Sequence, residues 1–169
     1  TGRIHETIFG PAFIHTEQYD QPYSHGKNDF FTEVNLKMIA KWGKLVGPHT
    51  VNLAKIVFLD TETSGLAGGT GTYAFVAGVG WFSDNQFIVE QIFLRSPDEE
   101  AGFLTALTER LSPFQFVVTF NGKSFDIPLL NTRFNMNRLT YPMTDFGHLD
   151  LLHLARRFWR DRLSNRALG

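Results

Sequence analysis

The chain has 169 residues, of which 43% are hydrophobic, and a formal net charge of -1, a composition that favours one globular domain with an apolar core. It has no cysteine, which excludes disulfide bonds and thiolate metal sites, and it has no apolar run long enough to cross a bilayer. A cytoplasmic location without membrane contact is therefore the expectation.

The charged residues are unevenly distributed along the chain. Basic residues outnumber acidic ones from Asn121 onward, whereas acidic residues are in excess before it. A basic C-terminal half could bind phosphate groups, and its arginines could equally well be solvated residues on helix faces. Both interpretations stay open on composition alone.

Residues 1–50 are predicted to be an N-terminal arm followed by one helix. The pairs Gly10-Pro11 and Gln21-Pro22 predict an irregular, extended conformation for residues 1–29. Apolar residues then recur at helical spacing after Asp29, a candidate cap, and Gly47-Pro48 ends the pattern. This predicted core-facing stripe comprises Phe31, Val34, Met38, Trp42 and Leu45.

Residues 51–169 are predicted to form the main domain, and its first half has the pattern of three strands. An apolar run predicts a buried strand over 55–60, and two further strand patterns cover 73–82 and 87–94. The last two are joined by a short polar turn. Strands with such short connections form an antiparallel meander.

Helices and strands alternate in the second half of this domain. Ser96, Pro97 and Glu99 predict a capping box at the start of a helix, and an apolar strand over 114–120 follows it. A strand–helix–strand crossover makes this fourth strand parallel to the first. A second helix is predicted after Asp126, a fifth strand over 144–149, and a third helix capped by Asp150, with an apolar face made of Leu151, Leu154, Ala155 and Phe158.

Two acidic residues, Asp60 and Glu62, stand at the end of the first predicted strand. Residues i and i+2 of a strand project to the same side, so the two carboxylates are expected to lie close together. Paired carboxylates repel each other unless a cation lies between them, and Mg2+ and Mn2+ prefer such oxygen ligands. The alternative is that this short, common pattern belongs to a solvated turn.

A third acidic residue, Asp126, follows the fourth predicted strand. Because the first and fourth strands are predicted to be parallel neighbours, Asp126 should lie at the same sheet edge as Asp60 and Glu62. Open α/β sheets place their sites at this edge. The topology thus favours a divalent-metal site over a solvated turn.

Three segments of the chain resemble a known family. Asp60-x-Glu62 and Asn121-x-x-x-Phe125-Asp126 are similar to the first two motifs of the DnaQ-like (DEDD) 3′–5′ exonucleases, which have the RNase H-like fold. The segments over 63–71, 119–126 and 148–152 resemble, more specifically, the YprB-type RNase H-like domain. The resemblance implies a mixed five-stranded sheet, a three-stranded antiparallel meander plus parallel strands, flanked by helices.

The resemblance also implies an activity and a set of site residues. It implies metal-dependent 3′–5′ hydrolysis of phosphodiester bonds in DNA or RNA, with two Mg2+ or Mn2+ ions held by Asp60, Glu62 and Asp126. These three acids would be both the metal ligands and the catalytic residues. The residues implied to contact the 3′ end of the nucleic acid are Thr63, Gly65, Leu66, Asn121 and Lys123.

The third family motif, a His or Tyr followed four residues later by Asp, is expected on a later helix. The chain ends at Gly169 before that position, so the domain is expected to be incomplete at its C-terminus and its activity is uncertain. Tyr141 and Asp145 fit the letters of this motif, but they follow the second motif closely and Pro142 predicts a loop there.

Two other functions are compatible with the same fold. The domain could be a catalytically weak or inactive nucleic-acid-binding or scaffold module, which an absent third motif would favour. It could also be an endonuclease or a polynucleotidyl transferase, because a fold does not fix a function. The exonuclease-type second motif favours cleavage from an end.

Overall fold

The structure is a computed structural model that describes residues 2–29, 31, 34–45, 51–65 and 71–158. Its centre is a mixed sheet of seven strands in the order β1-β2-β7-β6-β5-β8-β9, and β3 and β4 form a separate small hairpin. The strands are β1 (Gly2–Thr7), β2 (Gly10–Asp20), β3 (Ser24–His25), β4 (Asn28–Asp29), β5 (Ile56–Thr63), β6 (Ala74–Ser83), β7 (Gln86–Phe93), β8 (Phe116–Thr119) and β9 (Gly147–Asp150).

The five predicted strands of the main domain are β5 to β9. β5, β6 and β7 form the antiparallel meander, and β8 lies parallel to β5 on its other side, with Val57 opposite Val117. β9 is parallel to β8 in turn. The prediction of a mixed α/β architecture is confirmed, and the parallel pairing brings the carboxyl ends of β5 and β8 to one edge of the sheet.

The sheet has seven strands rather than the predicted five, because β1 and β2 extend it. β2 pairs antiparallel with β7, with Ile14 opposite Ile92. The irregular conformation predicted for the start of the chain is therefore wrong over residues 2–20. Ala12 and Ile14 are buried on one face of β2 with the half-buried Phe13 between them, whereas Gly10-Pro11 begins a strand instead of interrupting one. The division of the chain near residue 50 stays a prediction.

Helices cover both faces of the sheet. They are α1 (Leu36–Gly43), α2 (Glu100–Leu111), α3 (Asp126–Met136) and α4 (Leu151–Phe158). Residues of α2 and α3, including Leu107 and Leu130, share one core with Val57 and Leu59 of β5. Residues of α1 and α4 pack on the opposite face. None of the helices in the described ranges is long and apolar enough to cross a membrane.

Helix α1 is shorter than predicted and turns a different face to the sheet. It begins after Asn35, whose side chain accepts a hydrogen bond of 3.0 Å from the Met38 amide, and not after Asp29. Val34 and Met38 of the predicted stripe are 53% and 42% exposed. Leu36 and Ile39, which lie outside that stripe, pack on the second core, and so does Leu45 of the stripe, which follows the helix.

The other two cap predictions had different outcomes. The prediction of a capping box is wrong, since the Ser96 side chain makes no cap hydrogen bond. The Glu99 carboxylate instead accepts a 3.0 Å hydrogen bond from Nε of Arg95. A turn of 3-10 helix over Pro97–Glu99 precedes α2. Asp150 does cap α4, accepting a 3.0 Å hydrogen bond from the Leu152 amide. Leu152 is buried where the sequence pattern favoured Leu151, because α4 starts directly from β9.

Candidate active site

A pocket of about 230 Å3 lies at the carboxyl ends of β5 and β8. We call it the site pocket. β5 supplies its acidic wall, and the loop from β8 into α3 supplies the opposite wall. Its lining residues are Asp60, Thr61, Thr63, Gly65, Phe120, Asn121, Phe125, Asp126 and Leu129. The parallel pairing of β5 with β8 is what brings these two segments together.

Asp60 stands near the end of β5, where the strand leaves the apolar core. Its carboxyl has a pKa raised above the ordinary value, first by burial, then by the charge of Asp126, and then by that of Glu62. Each of these effects disfavours the ionised form. Asp60 therefore lies within electrostatic reach of both other predicted acids.

Asp126 begins α3 and is buried, with 7% of its surface exposed. Burial raises the pKa of its carboxyl, and a hydrogen bond from the Thr61 hydroxyl opposes this shift. Thr61 was not singled out by the sequence, since it lies between the two motif acids. In a strand, its side chain faces away from theirs and toward α3, which carries Asp126.

The structure brings most of the predicted nucleic-acid contacts into the site pocket. Thr63, Gly65 and Asn121 line it, and the Thr63 hydroxyl donates a 2.9 Å hydrogen bond to the Gly65 carbonyl. Neither Glu62 nor Lys123 is among its lining residues. Leu66, the remaining predicted contact, lies outside the described residues.

Asp150 fixes the loop that forms one wall of the site pocket. Its carboxylate accepts backbone hydrogen bonds from Asn121 at 2.9 Å and from Lys123 at 3.0 Å, besides the one that caps α4. Burial alone would raise the pKa of Asp150, but these three amide donors outweigh it and hold the pKa below its ordinary value. The sequence predicted the cap but not the two loop contacts.

The backbone of this loop is also constrained by sterics. Asn121 adopts a φ of 64°, a left-handed conformation that asparagine tolerates better than most residues. A Cβ atom on Gly122 would lie 2.5 Å from the Cβ and hydroxyl of Thr119, so no larger residue fits without movement. Only glycine allows the loop to lie this close to the end of β8.

Comparison with known proteins identifies the family of this chain. A family model described as RNase H superfamily matches residues 57–169. The chain belongs to the RNase H superfamily. It is also 32% identical over 169 residues to the "Uncharacterized protein YprB" of Bacillus subtilis (strain 168), an alignment that covers 96% of the chain. The chain spans about 40% of that relative's length. The resemblance to a YprB-type RNase H-like domain is thus confirmed.

The acids of this RNase H-like domain can be tested as metal ligands by their chemistry. Within the described ranges, no group of three His, Cys, Asp or Glu side chains is close enough to hold a metal ion. The predicted set of Asp60, Glu62 and Asp126 is therefore not a closed ligand cluster. Asp60 and Asp126 nevertheless fit a hard cation, because they are oxygen donors whose mutual repulsion a bound cation would remove.

The alternative third motif lies away from this pocket in the RNase H-like domain. Tyr141 packs against Phe134 with ring centroids 5.7 Å apart, and its buried hydroxyl has no hydrogen-bond partner among the described residues. Burial raises its pKa to about 12. Neither Tyr141 nor Asp145 lines the site pocket. His148, whose ring nitrogen lies 2.8 Å from the Thr119 hydroxyl, is also outside it, and burial lowers its pKa to about 4.

Proposed function

We propose that this domain is a metal-dependent 3′–5′ exonuclease that hydrolyses the phosphodiester bonds of DNA or RNA. The convergence of Asp60 and Asp126 in one pocket at the carboxyl edge of the sheet is the observation that carries the proposal. Membership of the RNase H superfamily, which makes nucleic-acid hydrolysis the activity to expect, supports it. Location in the cytoplasm and action at a 3′ end belong to the same proposal.

Asp60 and Asp126 would hold two divalent cations, Mg2+ or Mn2+, with Glu62 as the third proposed ligand. Bound cations of this kind lower the pKa of an attacking water and stabilise the leaving oxygen. The chain's part is to present ionised carboxylates in a fixed arrangement. Thr61 contributes by holding one carboxylate oxygen of Asp126 in place through its hydroxyl.

The rest of the pocket would seat the terminal nucleotide. Thr63, Gly65 and Asn121 offer hydroxyl, backbone and amide groups that can bind a sugar or a phosphate. Phe120 and Phe125 line the same pocket and offer apolar surface to a base. Among the described lining residues, the two aspartates are the only groups that carry charge, so binding a polyanion there requires cations beside them.

The direct test is hydrolysis of 5′-labelled single-stranded DNA and RNA with Mg2+, with Mn2+ and with EDTA. Asp60→Asn and Asp126→Asn should each abolish metal-dependent shortening from the 3′ end. Asp145→Asn is the matched control, since Asp145 is an exposed acid outside the site pocket. Full activity in either site variant would refute the proposal.

Two further substrates separate the alternatives. A circular single strand should resist cleavage by an exonuclease, whereas an endonuclease would linearise it. If no substrate is cleaved but labelled strands still bind, the domain is a nucleic-acid-binding or scaffold module. Because the chain spans about 40% of the length of its relative, that relative should be assayed beside it.

A further inference from the structure

A second and larger cavity, of about 630 Å3, adjoins the site pocket across the loop that Asp150 holds. We call it the basic cavity, because three cations, Lys44, Lys123 and Arg157, line it. Helix α1 and its C-cap form one wall, and β9 and α4 form the others. Gly43 allows α1 to lie this close to β9, since a Cβ atom there would lie 2.4 Å from the side chain of Leu149.

The charges around this cavity are unbalanced. In the part of the chain that the structure describes, none of its three cations forms an ion pair. Arg157 donates one weak hydrogen bond, of 3.4 Å, to the Trp42 carbonyl, which leaves most of its five donors available. The one lining carboxylate, Asp150, is 2% exposed and is occupied by backbone amides.

Aromatic surface accompanies these cations. Trp42 and Phe146 line the cavity, and the Trp42 ring is packed against Phe158 with centroids 4.6 Å apart. Grooves that combine cations with aromatic rings are typical of single-strand binding, because cations contact phosphates and rings stack with bases. A volume of about 630 Å3 also exceeds what one phosphate group needs.

The connection to the site pocket is short. Asn121 lines the site pocket and Lys123 lines the basic cavity, on the two sides of Gly122. Two residues span at most about 7 Å, roughly two nucleotides of a stacked strand. The loop between them is held by its hydrogen bonds to Asp150 and by the close packing of Gly122 against Thr119. The distance between the two cavities is therefore fixed.

We infer that the basic cavity binds the phosphates of a single strand of nucleic acid a few nucleotides away from the end that occupies the site pocket. This inference rests on the proposed function for the strand's direction, but the binding itself does not require hydrolysis. It also gives a role to α1, which lies before the part of the chain matched by the family model. Lys44 and Trp42 would take part in substrate binding.

The test is the binding of fluorescently labelled oligothymidylate to the full chain in EDTA, where metal-dependent hydrolysis is absent. The Lys44→Gln/Arg157→Gln double variant should weaken binding of a dodecamer about tenfold at physiological salt. The slope of log affinity against log salt concentration should be less steep than that of the unmodified chain by about 1.4, since each neutralised phosphate of a single strand contributes about 0.7 to the slope.

The matched control is Lys37→Gln/Arg156→Gln, which removes two exposed cations from the same two helices outside the cavity. Unchanged dodecamer binding in the Lys44/Arg157 variant, or equal weakening in the control, would overturn the inference. So would millimolar inorganic phosphate displacing the dodecamer completely, since the cavity would then be a site for free anions.

Failure of this inference can be told apart from failure of the exonuclease proposal. If strands bind through Lys44 and Arg157 but no substrate is hydrolysed, only the exonuclease proposal fails. If Asp60→Asn abolishes hydrolysis while the double variant binds strands like the unmodified chain, only the inference about the basic cavity is refuted.

Discussion

The Thr61 hydroxyl donates a hydrogen bond to the Asp126 carboxylate, and this contact joins strand β5 to the first turn of α3. Each partner is next to or part of a candidate metal-binding motif, so the contact couples the two halves of the site. It also opposes the effect of burial on the pKa of Asp126, because a donated hydrogen bond stabilises the ionised form.

Replacing Thr61 with valine should weaken the site without changing its shape. Thr61→Val keeps the branched side chain and removes the hydroxyl, so the free energy of unfolding should fall by about 1 kcal/mol. The pKa of Asp126 should rise further, and Mn2+ binding measured by calorimetry should weaken most at the acidic end of the pH range. Thr132→Val is the control, since the Thr132 hydroxyl donates a 2.9 Å hydrogen bond to the Pro128 carbonyl and neither residue lines the site pocket. Equal Mn2+ affinities in the two variants would contradict this role.

Asp60 should make the metal-free protein less stable at neutral pH. Its pKa is raised above 3.8, so the folded chain holds this proton more tightly than the unfolded chain does. Stability then falls as the pH rises from about 3.8 through the raised pKa, and it stays lower above that pKa. Asp60→Asn removes the ionisation, so this variant should unfold at a higher temperature than the unmodified chain in EDTA at neutral pH.

Adding a divalent cation should reverse that order. Mn2+ should raise the melting temperature of the unmodified chain, because a ligand that binds only the folded state stabilises it. It should leave Asp60→Asn nearly unchanged. Asp145→Asn, which alters an exposed acid away from the site pocket, should respond to Mn2+ like the unmodified chain. A Mn2+ response of the same size in Asp60→Asn would show that the cation binds elsewhere.

The sequence predicted the part of the fold that follows from local patterns. The apolar runs of β5 to β9 and the parallel crossover placed Asp60 and Asp126 at one sheet edge, and the structure brings both into the site pocket. The β1–β2 hairpin escaped prediction because Gly10-Pro11 predicts a break where β2 begins, and because only two residues of β2, Ala12 and Ile14, are buried. A hairpin of this kind is stable mainly through its pairing with β7, which no local pattern reveals.

The details that the sequence missed depend on contacts between distant segments. Thr61 gains its role only when α3 packs beside β5. Lys123 lines the basic cavity rather than the site pocket, in a loop whose amides bond Asp150. The contribution of α1 to the basic cavity depends on its packing against β9. Spacing along the chain cannot report such relationships, since each joins elements that are separated by many residues.

Asp150→Asn should loosen the loop between the two cavities. An amide in this position keeps one acceptor oxygen but turns an N–H group toward the donor amide of Lys123, which should lower the free energy of unfolding by about 1–3 kcal/mol. Because the pKa of Asp150 is below 3.8, its contribution is present above that pH and is lost as the pH falls through the lowered pKa.

The stability difference between the unmodified chain and Asp150→Asn should therefore be constant near neutral pH and shrink in strong acid. Hydrogen exchange of the Asn121 and Lys123 amides should accelerate in the variant beyond the change in global stability. Asp145→Asn provides the comparison, because Asp145 is exposed. Unaltered exchange at both amides would mean that Asp150 acts only as the cap of α4.

Gly122→Ala tests the steric constraint on the same loop. The new methyl group would lie 2.5 Å from Thr119, so the loop or the end of β8 must move, and overpacking of this kind typically destabilises by about 1–3 kcal/mol. The control is Gly71→Ala, since a Cβ atom at Gly71 would meet no atom of the described residues within 4 Å. Chemical denaturation should show a large loss of the free energy of unfolding for Gly122→Ala and not for Gly71→Ala.

The buried pair of Glu100 and Arg133 should determine how firmly α3 holds Asp126 in place. The two side chains form two hydrogen bonds of 2.6 Å that tie α2 to α3, and Asn137 adds a third to Glu100 at 2.8 Å. Glu100→Gln removes the carboxylate charge that Arg133 and Asn137 bind at this buried position, so the free energy of unfolding should fall by about 3–5 kcal/mol. The double variant Glu100→Leu/Arg133→Met removes both charges and should recover much of that loss. If Glu100→Gln and the double variant are equally destabilised, packing rather than the unpaired charge explains the effect.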